Sequence, residues 1–164
     1  MGVSASGKST VGARLAQQLD VPFLEGDALH SAPEIAKMAA GQPLDDADRR
    51  PWLAALSQWI RSAVSHGRGG VVTCSSLKRR YRDELRSAGQ GANVSFVHLS
   101  LDRRSAAQRI ARREGHFMPP GLLDSQFAIL EPLQADEPGV TVDASAPREQ
   151  VVAAALRAVA EPDG

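Results

Sequence analysis

The first residues of the chain have the types and the spacing of a phosphate-binding loop. The segment 2–10 consists of Gly2, Val3, Ser4, Ala5, Ser6, Gly7, Lys8, Ser9 and Thr10. It matches the pattern G-x-x-x-x-G-K-[ST], in which glycines let the backbone turn its N–H groups towards phosphate oxygens. In this pattern Lys8 reaches the β- and γ-phosphates, and the Ser9 hydroxyl can ligate Mg²⁺. We therefore predict that residues 2–10 bind the phosphates of ATP together with Mg²⁺.

A helix directly after this loop is part of the same prediction. Val11, Leu15 and Leu19 recur at helical spacing. The N-terminal amides and the positive dipole end of such a helix would face the phosphates. The alternative interpretation is a Gly- and Ser-rich tail in front of an ordinary helix.

Two acids and a histidine follow a short apolar run. Residues 21–24 are interpreted as a buried strand, and Glu25, Asp27 and His30 come after its carboxyl end. In open parallel α/β sheets, ligands bind outside the carboxyl ends of the strands. One acid could hold water on Mg²⁺ while the other accepts the proton of an attacking hydroxyl. Alternatively, the acids simply begin a polar loop.

An arginine stands where helix electrostatics favour acids. Asp45 or Asp46 can cap a long helix that runs to about Ser65, with its apolar residues spaced as one core-facing stripe. Arg49 lies in the first turn of that helix, where the dipole favours anions. This conflict makes Arg49 a candidate for binding an anionic substrate. The alternative is an ion pair with a neighbouring aspartate.

A second buried strand, 71–74, is followed by two serines and a lysine. Small hydroxyl residues and Lys78 at the carboxyl end of a strand suit an oxyanion site. The arginines of 79–86 are interpreted as a solvated helix face, with the exception of Arg82. Arg82 and the preceding Lys78 are expected to contact substrate. Cys74 is interpreted as a small core residue.

Arginines are concentrated on a helix after the third strand. Residues 94–101 form that strand, and the helix that begins at Asp102 carries Arg103, Arg104, Arg109, Arg112 and Arg113. Enzymes that transfer phosphoryl groups use arginine to neutralise charge on the transferred group, often from a mobile lid. We predict such a lid at about 105–130. His116 lies at its tip, and could equally be a surface loop residue.

The order of these elements predicts the fold class. A last strand at 140–142 and a helix from about 147 to 160 complete the alternation of strands and helices. Most strands are rich in β-branched residues and lack polar alternation, which is typical of parallel strands covered on both faces. We predict a single domain over 1–164, with a three-layer α/β nucleotide-binding fold and a parallel sheet.

Length and composition are consistent with this prediction. The chain has 164 residues, enough for one domain, and its 19 basic and 19 acidic residues balance. Zero net charge argues against binding to nucleic acid or to a membrane surface, and no apolar run has the length of a membrane span. The one cysteine excludes an internal disulfide. We therefore expect a reducing, cytoplasmic setting.

These segments together resemble the gluconate kinases, small phosphate-loop carbohydrate kinases related to shikimate kinase. The matching segments cover nearly the whole chain: 2–10, 23–30, 37–53, 74–78, 81–83, 115–118 and 125–127. The later segments are more specific than the loop, because other small-molecule kinases share the loop and lack them. Ala5 departs from the family, which commonly has glycine there; alanine fits if its φ is negative.

The resemblance implies transfer of the γ-phosphoryl group of ATP to the 6-hydroxyl of D-gluconate. By the same resemblance, Ser9 ligates Mg²⁺ with Glu25 near the metal, and Asp27 positions and deprotonates the sugar hydroxyl. The residues that it implies for gluconate contact are His30, Arg49, Lys78, Arg82 and His116. Arg109 and Arg113 would close from the lid and act with Lys8 in catalysis. The resemblance also suggests a homodimer.

Two other interpretations remain at this point. One is a kinase for another small polyol acid or for shikimate, against which stand the segments around Asp27 and Lys78. The other is a truncated nucleotide-binding paralogue without turnover. A panel of acceptors separates these interpretations.

The phosphate loop begins at Gly2, although such a loop normally follows a buried central strand. Without that strand, each unpaired backbone group in its two neighbours costs about 1–3 kcal/mol, while the stability of a whole domain is only about 5–15 kcal/mol. We therefore expect that the 164-residue chain does not fold as a stable, active kinase by itself. On this hypothesis Met1 is an internal methionine, and the functional protein has roughly ten more residues with a five- or six-residue apolar strand.

Overall fold

Strands and helices alternate along the chain, as the sequence predicts. The computed structural model describes residues 1–112 and 119–160. In chain order the elements are α1 (Lys8–Leu19), β1 (Phe23–Glu25), a 3₁₀ turn (Gly26–Leu29), α2 (Ala32–Ala39), α3 (Asp46–Ser65), β2 (Val71–Thr73), α4 (Arg79–Ala88), β3 (Phe96–Ser100), α5 (Arg103–Ala111), α6 (Pro120–Ile129), β4 (Gly139–Asp143) and α7 (Arg148–Ala160). Over these residues, no helix is both long enough and apolar enough for a bilayer crossing.

The strands form two parallel pairs. β1 pairs with β2, with Glu25 beside Thr73, and β3 pairs with β4, with Ser100 beside Asp143. Parallel pairing requires long crossovers, and helices supply them. The carboxyl ends of the paired strands therefore lie at one edge, which is where the sequence predicts the site.

Helices cover both faces of the strands. On one face α1 and α7 pack on each other and on β2 and β4, around a core that includes Leu15, Leu99 and Val151. On the other face α3 packs against α4, with Trp52 and Leu85 among the buried side chains. This three-layer arrangement confirms the predicted fold class.

Two helices begin at capping boxes, and the start of α3 is the predicted one. The side chain of Ser31 accepts a hydrogen bond from the Glu34 backbone N–H, and the Ser31 backbone N–H donates to the Glu34 carboxylate, which completes a capping box for α2. Asp45 and Asp48 form the same reciprocal pair at the start of α3. Each box satisfies backbone donors that the first turn leaves unpaired.

The first strand differs from the predicted run 21–24. Asp20 ends α1 with φ 53°, and the Val21 N–H donates to the Ala16 carbonyl, so Val21 closes the helix. β1 therefore begins at Phe23, which is 38% exposed. Among the strands of the described residues, β1 pairs only with β2, so it lies at the edge of its sheet.

A cavity separates the two strand pairs. β2 and β3 belong to different sheets, and Met1 lies between them: its ammonium donates to the Val97 carbonyl at 2.6 Å, and the Leu99 N–H donates to the Met1 carbonyl at 2.9 Å. The remaining space is about 640 Å³ and is lined mainly by apolar groups, including Val11, Leu15, Val72, Leu85, Phe96 and Val97. This space lies where a strand preceding the phosphate loop is expected.

The cavity predicts that an added strand stabilises the chain. We expect that a Val- and Ile-rich segment of about six residues, a usual strand length, fused ahead of Met1 pairs with β2 and β3. Each recovered backbone hydrogen bond contributes about 0.5–1.5 kcal/mol. The melting temperature should rise by at least about 5 °C, as measured by circular dichroism.

A Gly- and Ser-rich fusion of equal length is the matched control. Both fusions convert the buried Met1 ammonium into an amide, so this change cancels in the comparison. Equal melting of the two fusions would show that the cavity does not accept a strand.

Candidate active site

The loop 2–8 has the backbone of a phosphate cradle. Gly2 and Gly7 have φ values of 141° and 97°, which L side chains rarely adopt. Gly7 is also the N-cap of α1, and Lys8 folds back so that its Nζ donates to the Val3 carbonyl at 3.0 Å. Ser9 is exposed at the N-terminal end of α1. Glycines with positive φ, a lysine and an exposed hydroxyl at a helix N-terminus fit nucleotide phosphates and a metal bound to them.

Ala5 does not have the negative φ at which an alanine would fit this position without strain. Its φ is 62°, in the left-handed region. A residue with a Cβ pays on the order of 1–2 kcal/mol there. The loop is therefore strained at the position where glycine is common in the family that the chain resembles.

Two helices support the loop from outside. The Ser4 N–H donates to Gln126 Oε1 at 2.7 Å, and Gln126 Nε2 donates to Ser4 Oγ at 3.0 Å. From α5, Arg109 donates to the carbonyls of Ala5 at 3.3 Å and Ala144 at 2.6 Å. Arg109 thus lies at the loop, while its catalytic role from a lid stays a prediction. Gln126 lies in the matching segment 125–127, but its contact with the loop was not predicted, because the sequence pattern does not show which residue a helical glutamine meets.

The two acids lie at the carboxyl end of β1, as predicted. The Thr73 hydroxyl, from the neighbouring strand, donates to Glu25 Oε1, which fixes that carboxylate beside the sheet. Asp27 lies in the 3₁₀ turn and is exposed. Trp52 Nε1 donates to the Gly26 carbonyl at 2.8 Å, so α3 holds the peptide between the two acids.

A metal would need ligands beyond these side chains. Among residues 1–112 and 119–160, no group of three or more histidine, cysteine or acidic residues converges as a metal site.

His30 is fixed on two sides. Its ring stacks on Trp52 with the centroids 5.0 Å apart and the planes 7° from parallel. Its Nδ1 lies 3.6 Å from Glu34 Oε2. The helix cap of α2 and the indole of α3 therefore set the orientation of this predicted substrate residue.

Arg49 and Lys78 converge on one region between α3 and α4. Arg49 is 9% exposed, and its Nε donates to the Leu44 carbonyl at 3.2 Å. In the part of the chain that the structure describes, Arg49 forms no ion pair with an acid. This finding does not favour the alternative that Arg49 pairs with a neighbouring aspartate. Lys78 Nζ lies 2.9 Å from Asp46 Oδ1.

The aspartate at this point is strongly stabilised as an anion. Hydrogen bonds from Arg80, Tyr81 and Lys78 hold the pKa of Asp46 well below its usual range.

Cys74 is buried, and this burial raises the pKa of its thiol, which supports its interpretation as an unreactive core residue.

Arg82 does not face a substrate, contrary to its prediction. Its side chain is fully buried, and Nε and Nη2 donate to the Glu137 carboxylate at 2.5 and 2.7 Å. Nη1 also donates to the carbonyls of Ser76 at 3.2 Å and Glu131 at 3.0 Å. Arg82 therefore ties α4 to the segments after β2 and α6. Sequence spacing could not separate this arginine from its exposed neighbours.

Two predicted site residues, Arg113 and His116, lie outside the described residues.

The fold and the loop define a phosphate-loop kinase. The family model described as an AAA domain matches residues 1–133. The chain is 51% identical to the gluconokinase of Gluconobacter oxydans over 142 residues, which cover 87% of this chain and 79% of that protein. It is 42% identical to the thermoresistant gluconokinase of Escherichia coli, with coverage of 97% and 90%. This chain belongs to the gluconokinase family.

Solved structures agree with this assignment. A gluconokinase from Sinorhizobium meliloti superposes with a TM-score of 0.89 at 43% identity, over 98% of this chain and 89% of that one. An unliganded sugar kinase from Janibacter reaches 0.92 at 44% identity, over 98% and 91%. The APS kinase of Mycobacterium tuberculosis, at 19% identity and a TM-score of 0.66, shares the fold.

The strain at Ala5 predicts a stabilising substitution. Ala5→Gly removes the Cβ penalty and should raise the free energy of unfolding by about 1 kcal/mol, as measured by urea denaturation. Gly7→Ala is the paired test, since φ at Gly7 is also positive and no atom crowds its Cβ position. It should destabilise the chain. A loss of stability in Ala5→Gly would contradict the left-handed conformation of residue 5.

The burial of Arg82 predicts a structural rather than a substrate-binding effect. Arg82→Met leaves Glu137 buried and unpaired and should cost about 3–5 kcal/mol of unfolding free energy. Arg86→Met, one turn further along α4, breaks a half-exposed pair with Asp83 and should cost less than about 1 kcal/mol. A stable Arg82→Met variant with a raised acceptor KM would restore the predicted substrate role.

Proposed function

We propose that this chain transfers the γ-phosphoryl group of ATP to the 6-hydroxyl of D-gluconate, producing ADP and 6-phosphogluconate. The observation that carries the proposal is the position of Asp27. It lies exposed at the carboxyl edge of the strands, and the phosphate loop is joined to the same edge where the Gly2 N–H donates to the Ser75 carbonyl at 3.1 Å. Membership of the gluconokinase family supports the choice of acceptor.

The phosphate loop binds the donor. The N-terminus of α1 faces the phosphates, and Lys8 leaves the Val3 carbonyl for the β- and γ-phosphate oxygens. Ser9 would hold Mg²⁺, with Glu25 near it. When bound, the ion neutralises charge on the phosphates.

Asp27 acts on the acceptor. It orients the 6-hydroxyl towards the γ-phosphorus and accepts its proton as the new O–P bond forms and the bond to the ADP oxygen breaks. Asp27 is exposed to solvent, so a sugar can reach its carboxylate. Arg109 lies against the loop through Ala5, and we assign it, together with Arg113, to neutralising charge on the transferred group.

The remaining acceptor contacts come from His30, Arg49 and Lys78. The imidazole of His30 and the cationic groups of Arg49 and Lys78 suit the hydroxyls and the carboxylate of a polyhydroxylated acid. His116 would join them from the lid. Arg82 has no part in this contact, since its guanidinium donates hydrogen bonds to Glu137 and to backbone carbonyls. The proposal includes a cytoplasmic homodimer with no nucleic-acid or membrane partner.

The test is ADP release with gluconate, shikimate, glycerate and glucose as acceptors. We expect turnover with gluconate that exceeds turnover with the others. The position of the new phosphate is read by NMR of the product. Preference for another acid, or ATP binding without turnover of any acceptor, would contradict the proposal.

The base assignment predicts a selective loss in Asp27→Asn. A general base contributes roughly 10²–10⁴-fold, and phosphoryl transfer favours the low end of that range. We expect kcat to fall accordingly while ATP affinity, measured by calorimetry, is kept. Asp20→Asn, at the opposite end of α1 from the loop, is the matched control and should leave kcat unchanged. More than about a tenth of kcat remaining in Asp27→Asn would make the assignment wrong.

A further inference from the structure

Three cations surround the ring of Tyr81. The ring lies in the first turn of α4 and is 3% exposed. The Arg49 and Arg80 guanidinium carbons lie 5.9 and 5.4 Å from its centroid, and Lys78 Nζ lies 5.7 Å from it. An aromatic face attracts cations at such distances. We call Arg49, Lys78 and Arg80 the Tyr81 cation cluster.

One carboxylate organises this cluster. Asp46, the first residue of α3, accepts hydrogen bonds from Lys78 at 2.9 and 3.2 Å and from the Tyr81 hydroxyl, and it pairs with Arg80. Three cations and one anion leave a net charge of +2 in a half-buried position. Like charges held together in this way repel unless a further anion joins them.

The cluster keeps donors for such an anion. Lys78 has three N–H donors, and Arg49 has five, of which only Nε binds a described residue. α3 and α4, which carry the cluster, also adjoin the acceptor edge: Trp52 of α3 holds the Gly26 carbonyl beside Asp27, and Lys78 precedes α4 just after β2.

We infer that Asp46 and Tyr81 are positioning residues that hold the Tyr81 cation cluster as the carboxylate-recognition end of the acceptor site, and so set the preference for a sugar acid over a neutral polyol. This inference rests on the proposed function. Asp46 itself stays in place when the acceptor binds, because its three partners and the N-terminal dipole of α3 all favour the anion there. The acceptor carboxylate takes the remaining donors of Arg49 and Lys78.

Two conservative variants test this assignment. Tyr81→Phe keeps the ring under the cations and removes only the hydroxyl bond to Asp46, and Asp46→Asn keeps the size of the side chain and removes its charge. We expect each to raise the KM for gluconate about tenfold, as the loss of a charge-assisted hydrogen bond does. The KM for ATP and kcat should stay within about twofold of the parent.

Glucitol, which has a hydroxymethyl group where gluconate has its carboxylate, reports the specificity. It is measured as a substrate, or as an inhibitor where its turnover is below detection. Selectivity for gluconate over glucitol should fall about tenfold in both variants, since only the charged end is affected. A merely structural defect would weaken the binding of gluconate and of glucitol by the same factor. Asp46→Glu should recover part of the selectivity.

Asp83→Asn is the matched control, because Asp83 pairs with Arg79 and Arg86 on the same helix, away from the cluster. It should change none of these values. An unchanged or lowered gluconate KM in folded Asp46→Asn would overturn the inference, the lowered value showing that Asp46 competes with the substrate. Failure of the parent chain to use gluconate would instead contradict the proposed function, and the same comparison would then be made with whichever acid it does use.

Discussion

The site depends on the attachment of the phosphate loop to both strand pairs. The Leu99 N–H donates to the Met1 carbonyl from β3, and the Gly2 N–H donates to the Ser75 carbonyl beyond β2. A Cβ on Gly2 would lie 2.7 Å from the Leu99 carbonyl oxygen, so the approach is possible only for glycine. Through these bonds the donor loop and the acceptor edge keep a fixed separation. A phosphoryl group can pass between them only if that separation is maintained.

Much of the fold could be predicted because its signals are local. A capping residue such as Asp45 acts within one turn, and the apolar stripe of α3 follows from helical periodicity alone. The phosphate loop was equally clear, since its spacing is imposed by the phosphates it surrounds. The sequence placed the start of β1 at Val21, two residues too early. Val21 can begin a strand or follow the end of a helix, and only tertiary contacts decide between these two conformations.

The arginines mark the limit of sequence reasoning about the site. Arg49 and Arg82 both belong to helices with other cations nearby, and both are buried. Among the described residues only Nε of Arg49 has a hydrogen-bond partner, the Leu44 carbonyl, whereas Arg82 donates to Glu137, which lies 55 positions away in the chain. Such partners are brought together by packing, so no local pattern showed that Arg82 has a structural role. The positive φ of Ala5 has a similar origin, because the surroundings of the loop, and not its residue types alone, set the loop conformation.

The two tryptophans of the chain give the molecule two separate optical signals. Trp52 is 1% exposed, stacks on His30 and donates to the Gly26 carbonyl, so its environment follows the acceptor side. Trp59, two turns further along α3, lines the cavity between the strand pairs. Replacing either with phenylalanine isolates the emission of the other. Fluorescence can then follow the arrival of a sugar at one end of α3 and the packing of the sheet at the other, in the same sample.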